Sequence, residues 1–143
     1  MSAVVLNVCV SETKGVQKTP VDSVTVKIEH GIDGDAHAGD WHRQVSLLAN
    51  ESAQKMRDKG LAIGPGDFGE NLLTEGIVLT ELPVGTPIKV GETLLEVTQI
   101  GKECHDHCQI YFKAGDCVMP REGVFAKVIE GGVIKPGDAI EQA

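Results

Sequence analysis

The chain has 143 residues, 41% hydrophobic and 24% charged, a length and balance that suit one globular domain, residues 1–143, burying about 68–70% of its unfolded surface without a disulfide or metal staple. Its formal charge of −8 excludes a general nucleic-acid surface, which needs clustered Lys and Arg, and no apolar run approaches the roughly 18 residues that span a bilayer. Aromatic residues make up 3%, so the core must come from Val, Ile and Leu, which favours β structure.

The opening MSAVVLNVCVSETK lacks the basic start and apolar stretch of a secretory signal. The expected compartment is therefore the reducing cytoplasm, where cysteines are more often catalytic or metal-binding than structural. Ala3 to Val10 is a mostly apolar run and reads as a buried strand, with Cys9 a core residue. SETKGVQKTPVD is polar, carries Gly15 and Pro20, and reads as a loop or hairpin connection. SVTVKIEHGI alternates, with Val24, Val26 and Ile28 on one face and Thr25, Lys27 and Glu29 on the other, the mark of a half-buried strand.

GIDGDAHAGDWHR follows, with Asp33, Asp35, His37, Asp40, His42 and Arg43 set among Gly31, Gly34 and Gly39. Two readings stand: a binding loop between strands, or an Asp/Gly turn whose side chains bond their own backbone. Gln44 to Ala49 resumes as a strand. Asn50 is the expected helix cap, Glu51 the anion favoured in the first turn, Met56 the anchor of the short polar helix, and Gly60 its left-handed stop. A second glycine-rich loop, distinguished by Phe68, Glu70 and Asn71, opens into a strand. PVGTPIKVGETLLEVTQI reads as two strands joined at Gly91, with Pro83 and Pro87 confining the first to an edge or its beginning. VFAKVIE ends at Gly131–Gly132, and a last short strand follows Pro136–Gly137. Many short strands between Gly/Pro turns, with one or two short helices, predict a mainly β (α+β) fold: a closed, barrel-like β domain without exposed strand edges.

Between the LLEVTQ strand and VFAKVIE lies IGKECHDHCQIYFKAGDCVMPR, with three of the four cysteines. Cys104 flanked by Lys102 and His105 suits a reactive thiolate, because neighbouring cations lower a thiol pKa; the alternative is a buried small hydrophobe. CHDHC offers His105, His107 and Cys108 to zinc, with His37 and His42 available to complete a site, although the usual paired CxxC modules are absent. A dithiol pair lacks the redox-poised CxxC spacing. A Cys–His hydrolase is weakly signalled, with no Gly-x-Ser-x-Gly elbow and no phosphate loop of the Walker type.

The ordered series IEHGIDGDAHAG, WHRQVSLL, GDFGENLLTEG, LPVGTPIKVGETLLEVTQIGKEC and VFAKVIEGGVIKPGD resembles the MOSC domain, named after the C-terminal domain of molybdenum cofactor sulfurase, across residues 24 to 140. The resemblance implies a β-barrel-like fold and binding of the molybdenum cofactor (molybdopterin), an anionic pterin ligand. It implies that the cysteine after the LLEVTQ strand, Cys104, carries sulfur as a persulfide or ligates molybdenum. Cofactor-binding candidates are Asp35, His37, Arg43, Gln44, Phe68, Glu70, Asn71 and Lys102 in the matched segments, with Arg121 between the last two of them. Arg43, Lys102 and Arg121 would answer the phosphate charge, while Asp35, Gln44 and Asn71 offer mixed donors and acceptors to a pterin edge. For these polar residues, turn and cap stabilisation is the competing role. No Schiff-base lysine motif accompanies the segment, so a separate sulfur donor or a molybdoenzyme is the expected partner. Two other functions stay open: a molybdenum-dependent reductase or sulfur transferase working with partner subunits, and a small zinc-binding module.

Overall fold

A computed structural model describes residues 3–12, 17–36, 38–60, 64–66, 68–101 and 123–142. Eleven strands and one helix lie among them: β1 (Ala3–Val10), β2 (Thr19–Val21), β3 (Val24–Lys27), β4 (Gly31–Ile32), β5 (Val45–Ala49), α1 (Asn50–Arg57), β6 (Leu72–Glu75), β7 (Pro87–Val90), β8 (Thr93–Ile100), β9 (Val124–Glu130), β10 (Gly132–Ile134) and β11 (Ala139–Gln142), with a single 3₁₀ turn at Leu79–Glu81. Seven strands form a closed barrel in the order β1-β11-β7-β8-β9-β5-β6 and back to β1. Closure comes from antiparallel pairing of β1 with β11, Ala3 opposite Ile140 and Val4 opposite Ala139. Strand β2 joins the far end of β1, and β10-β3-β4 make a separate small sheet. The expected mainly β barrel is therefore present, with one helix.

Alternation fills two cores. Val5, Leu47, Leu72, Leu95, Val97, Val124, Ala126 and Ile140 belong to the barrel interior, all buried. Leu48, Leu73 and Phe125, one residue out of step on β5, β6 and β9, meet Ala53 and Met56 of α1 and Phe68 in a second cluster. Strand β5 is thus buried on both faces, which explains the unbroken VSLLA run. The one parallel barrel pair, β5 with β6, is bridged by α1, since parallel strands need a crossover. Among the described residues no helix is long and apolar enough to cross a membrane.

Two local expectations are corrected. SVTVKIEHGI is a hairpin and not one strand: Glu29 takes a left-handed φ of 60°, the His30 N–H donates to the Lys27 carbonyl, and β4 folds back with Ile32 opposite Val26. Ile28, expected beside Val24 and Val26, is at the bend and 58% exposed. The helix cap is Ala49, extended at φ −74° and ψ 137°, with no side-chain cap bond. Asn50 is already in the first turn, and its Oδ1 accepts from Arg57 Nη1 at 2.9 Å. Glu51 does occupy the first turn, where its carboxylate accepts the Gly76 N–H. Met56 is fully buried, Gly60 is left-handed, and Pro87 begins β7.

Candidate functional site

The two glycine loops meet over a buried polar cluster. Lys18 Nζ donates to Asp35 Oδ1 at 2.8 Å, with side-chain exposures of 1% and 0%. The same ammonium donates to Ser11 Oγ, and the Ser11 amide donates to Asp35 Oδ1. The second loop approaches so closely that the Lys18 amide bonds the Gly66 carbonyl at 2.8 Å. Glu70 clamps this loop from within, Oε2 accepting from the Gly66 amide and Oε1 from the Phe68 amide. Asn71, with no exposed surface, stitches three strands: its Oδ1 accepts from the amide and hydroxyl of Ser46, and its Nδ2 donates to the Cys9 carbonyl. Gln44 is also buried, its Oε1 accepting the Val128 amide at 2.9 Å. Asp35, Gln44, Glu70 and Asn71 thus use these side-chain groups to hold the loops and strands together, and Phe68 packs in the outer core.

A different group gathers at the end of β8. Strict alternation would carry Gln99 into the barrel behind Leu95 and Val97. Instead the register slips: Val97 is opposite Ala126, yet Gln99 is opposite Phe125. Thr98 is the extra residue, and such a bulge re-aims the side chains beside it. The Thr98 hydroxyl donates to the His42 carbonyl. Gln99 Oε1 accepts from Arg43 Nε at 3.0 Å and is 3.0 Å from His42 Nε2, while Gln99 Nε2 donates to the Gly101 carbonyl at 2.8 Å. Because the amide nitrogen is used on Gly101, the oxygen facing His42 is an acceptor, an arrangement that suits a donor Nε2–H on His42.

The Arg43 guanidinium lies 5.3 Å from the Phe125 ring centroid and 6.0 Å from that of Trp41, within cation–π range; Trp41 also meets the His42 ring edge-on at 5.8 Å. Among the described residues no hydrogen bond engages the terminal nitrogens of Arg43, which leaves a fixed cation with donors to spare. Immediately beyond, the Gly101 amide bonds the Gly123 carbonyl at 2.6 Å, pinning together the two points between which residues 102–122 run.

Of the sequence-predicted site residues, Arg43 is at this rim, with His42 from the same loop. Asp35, Gln44, Glu70 and Asn71 are in the buried framework beneath the loops, and His37, Lys102, Cys104, His105, His107, Cys108 and Arg121 lie outside the described residues. Cys9 is fully buried, as expected of a core residue. Among the described residues no group of three or more His, Cys, Asp or Glu could hold a metal ion. Sequence reasoning missed Gln99, Thr98, Trp41 and Lys18. The signal for Gln99 was a polar residue at the inward phase of LLEVTQ.

The family model described as MOSC domain matches residues 33–141. No curated protein matches the chain. Among solved structures, the YUAD protein from Bacillus subtilis is similar at a TM-score of 0.80 and 20% identity, covering 98% of this chain and 94% of that one. YiiM from Geobacillus stearothermophilus is similar at a TM-score of 0.72 and 21% identity, covering 99% and 75%. YiiM from Escherichia coli follows at 0.66 and 21%, covering 99% and 68%. At such identities these likenesses establish the fold alone.

Proposed function

The chain belongs to the MOSC domain family, and on that premise we propose that it binds the molybdenum cofactor and carries sulfur on Cys104. The family is associated with molybdenum-cofactor binding and sulfur chemistry. The observation that carries the reading for this chain is the rim at the end of β8. There Arg43, fixed by Gln99 and Phe125, is linked through the Gln99 carboxamide to Gly101, from which Cys104 is three residues of chain away, a reach of at most about 11 Å.

The residues present fit the ligand in kind. A pterin phosphate needs a local cation in an acidic protein, and the Arg43 guanidinium supplies charge and a planar set of donors; Lys102 and Arg121 add further charge. Asp35 and Gln44 anchor the segment that carries Arg43, while Glu70 and Asn71 hold the second loop and the strands beneath it, with Phe68 in the outer core. When bound, the cofactor would supply a molybdenum centre, for which a thiolate is a suitable soft ligand. Lys102 and His105 favour the Cys104 thiolate electrostatically. As a carrier, that thiolate attacks the outer sulfur of a donor persulfide; the sulfur passes to Cys104 and the donor leaves as its thiolate, with no net oxidation.

The test compares wild type with Cys104→Ser, purified without reductant, by intact mass and metal content. One added sulfur atom or retained molybdenum in wild type, lost in the variant at unchanged melting temperature, is the expected outcome. Equal sulfur and molybdenum in both proteins would remove Cys104 from the role. Stoichiometric zinc, with unfolding by chelator, would move the assignment to His105, His107 and Cys108.

A further inference from the structure

We infer that Gln99 is the positioning residue of this site: one carboxamide orients the Arg43 guanidinium, selects the Nε2-protonated form of His42 and ties both to Gly101. The inference rests on the reading of Arg43 as the anion-binding cation, but its geometry stands on the described residues alone.

A carboxamide entering the barrel behind Leu95 and Val97 would be buried among aliphatic side chains without partners, which is unfavourable. The extra residue Thr98 avoids that by turning Gln99 to the outer face beside Phe125. Both residues of the bulge then grip the same dipeptide, Thr98 through the His42 carbonyl and Gln99 through the His42 and Arg43 side chains. A residue serving only to end a strand would need one such contact; Gln99 makes three, to two side chains and to the backbone of Gly101.

The consequence is chemical as well as steric. Among the described residues Arg43 is held through Nε alone, which keeps both terminal nitrogens available to a ligand. Histidine held through Nε2–H keeps Nδ1 as a lone-pair acceptor. The rim thus sets cationic donors beside an imidazole acceptor, the pattern that suits a protonated oxyanion such as hydrogen phosphate or a phosphate monoester. Without Gln99 the long Arg43 side chain would regain its rotamer freedom and His42 its choice of tautomer.

The test uses the full, isotope-labelled chain, with nitrogen NMR of the His42 ring and the Arg43 Nε–H and inorganic phosphate as probe. In wild type, His42 is expected in the Nε2–H form and Arg43 Nε–H is expected to be slow to exchange and to shift with phosphate. In Gln99→Leu, His42 becomes a tautomer mixture, Arg43 Nε–H exchanges faster, and phosphate affinity falls about fivefold, the worth of one hydrogen bond, while the melting temperature stays within a few degrees. Gln99→Glu, which keeps the acceptor oxygen and loses the donor to Gly101, preserves the Nε2–H tautomer and the Arg43 protection. An Nδ1–H tautomer in wild type, no phosphate shift in wild type, or unchanged Arg43 and His42 signals in Gln99→Leu would each overturn the inference. Failure of the sulfur-carrier reading looks different: Cys104→Ser would leave sulfur and molybdenum unchanged while Gln99→Leu still released Arg43.

Discussion

Lys18 and Asp35 make the most consequential single contact in the loop framework. Taking both charges out of water is costly, and a lone partner left behind is costlier still. Lys18→Met should therefore lower stability by about 3–5 kcal/mol, far beyond the roughly 0–1 kcal/mol of a surface pair. Adding Asp35→Asn to Lys18→Met should recover part of the loss, because the amide oxygen can still accept from Ser11 while the buried charge is gone. Urea titration of both single variants and the double variant measures this coupling; strictly additive losses would mean that the two groups do not act as a pair.

Asp35 also marks what a sequence can reveal at this scale. Polar side chains between glycines read equally as ligand groups and as turn stabilisers, and the deciding fact is a partner seventeen positions away, Lys18, which local pattern does not contain. Asn71 is similar: FGEN distinguishes the segment, but only the meeting of β1, β5 and β6 gives its amide the Ser46 and Cys9 partners. Arg43 was legible as a cation beside a glycine loop. Its anchor Gln99 showed only as a polar residue at the inward phase of LLEVTQ, and the one-residue slip between β8 and β9 that brings it to Arg43 leaves no compositional trace.

Among the elements, strands with clean apolar runs were legible: Ala3–Val10 has the bounds expected of it, and β5 falls within the expected Gln44–Ala49. Failures came where a nearby turn or side-chain bond overrode the simple pattern. Glu29 bends a well-alternating run into a hairpin, and Asn50 turns to Arg57 instead of capping. Loop glycines divide in the same way. Gly66 and Gly137 both have positive φ, 84° and 94°, so alanine is strained at either. At Gly137 the added Cβ meets open space, whereas at Gly66 it would be 2.0 Å from the Lys18 carbonyl oxygen, a backbone atom that cannot simply step aside. Gly137→Ala should cost about 1 kcal/mol of conformational strain, and Gly66→Ala clearly more, with the second glycine loop displaced. Equal thermal shifts for the two variants would contradict the close approach of the loop to Lys18.

At the scale of the whole molecule, the barrel class was legible from many short strands between Gly/Pro turns, but the strand order was not, since closure joins residues from opposite ends of the chain. Ile140 is at that seam, paired with Ala3 on one side and Val90 on the other, and is 2% exposed. Truncating it removes buried aliphatic volume where two sheet edges are zipped together, so Ile140→Ala should cost about 2–5 kcal/mol. Ile129→Ala, at a position 37% exposed near the end of β9, should cost much less. Around the ring, β9 is opposite the β1–β11 seam, so the two kinds of damage should separate. Ile140→Ala should lower the urea midpoint while the folded fraction keeps the wild-type Arg43 Nε and His42 signals; Gln99→Leu should change those signals with the midpoint nearly unmoved. If Ile140→Ala altered the rim of the still-folded protein, the barrel would be transmitting strain across its interior, and the rim could no longer be treated as a local device of the β8 bulge.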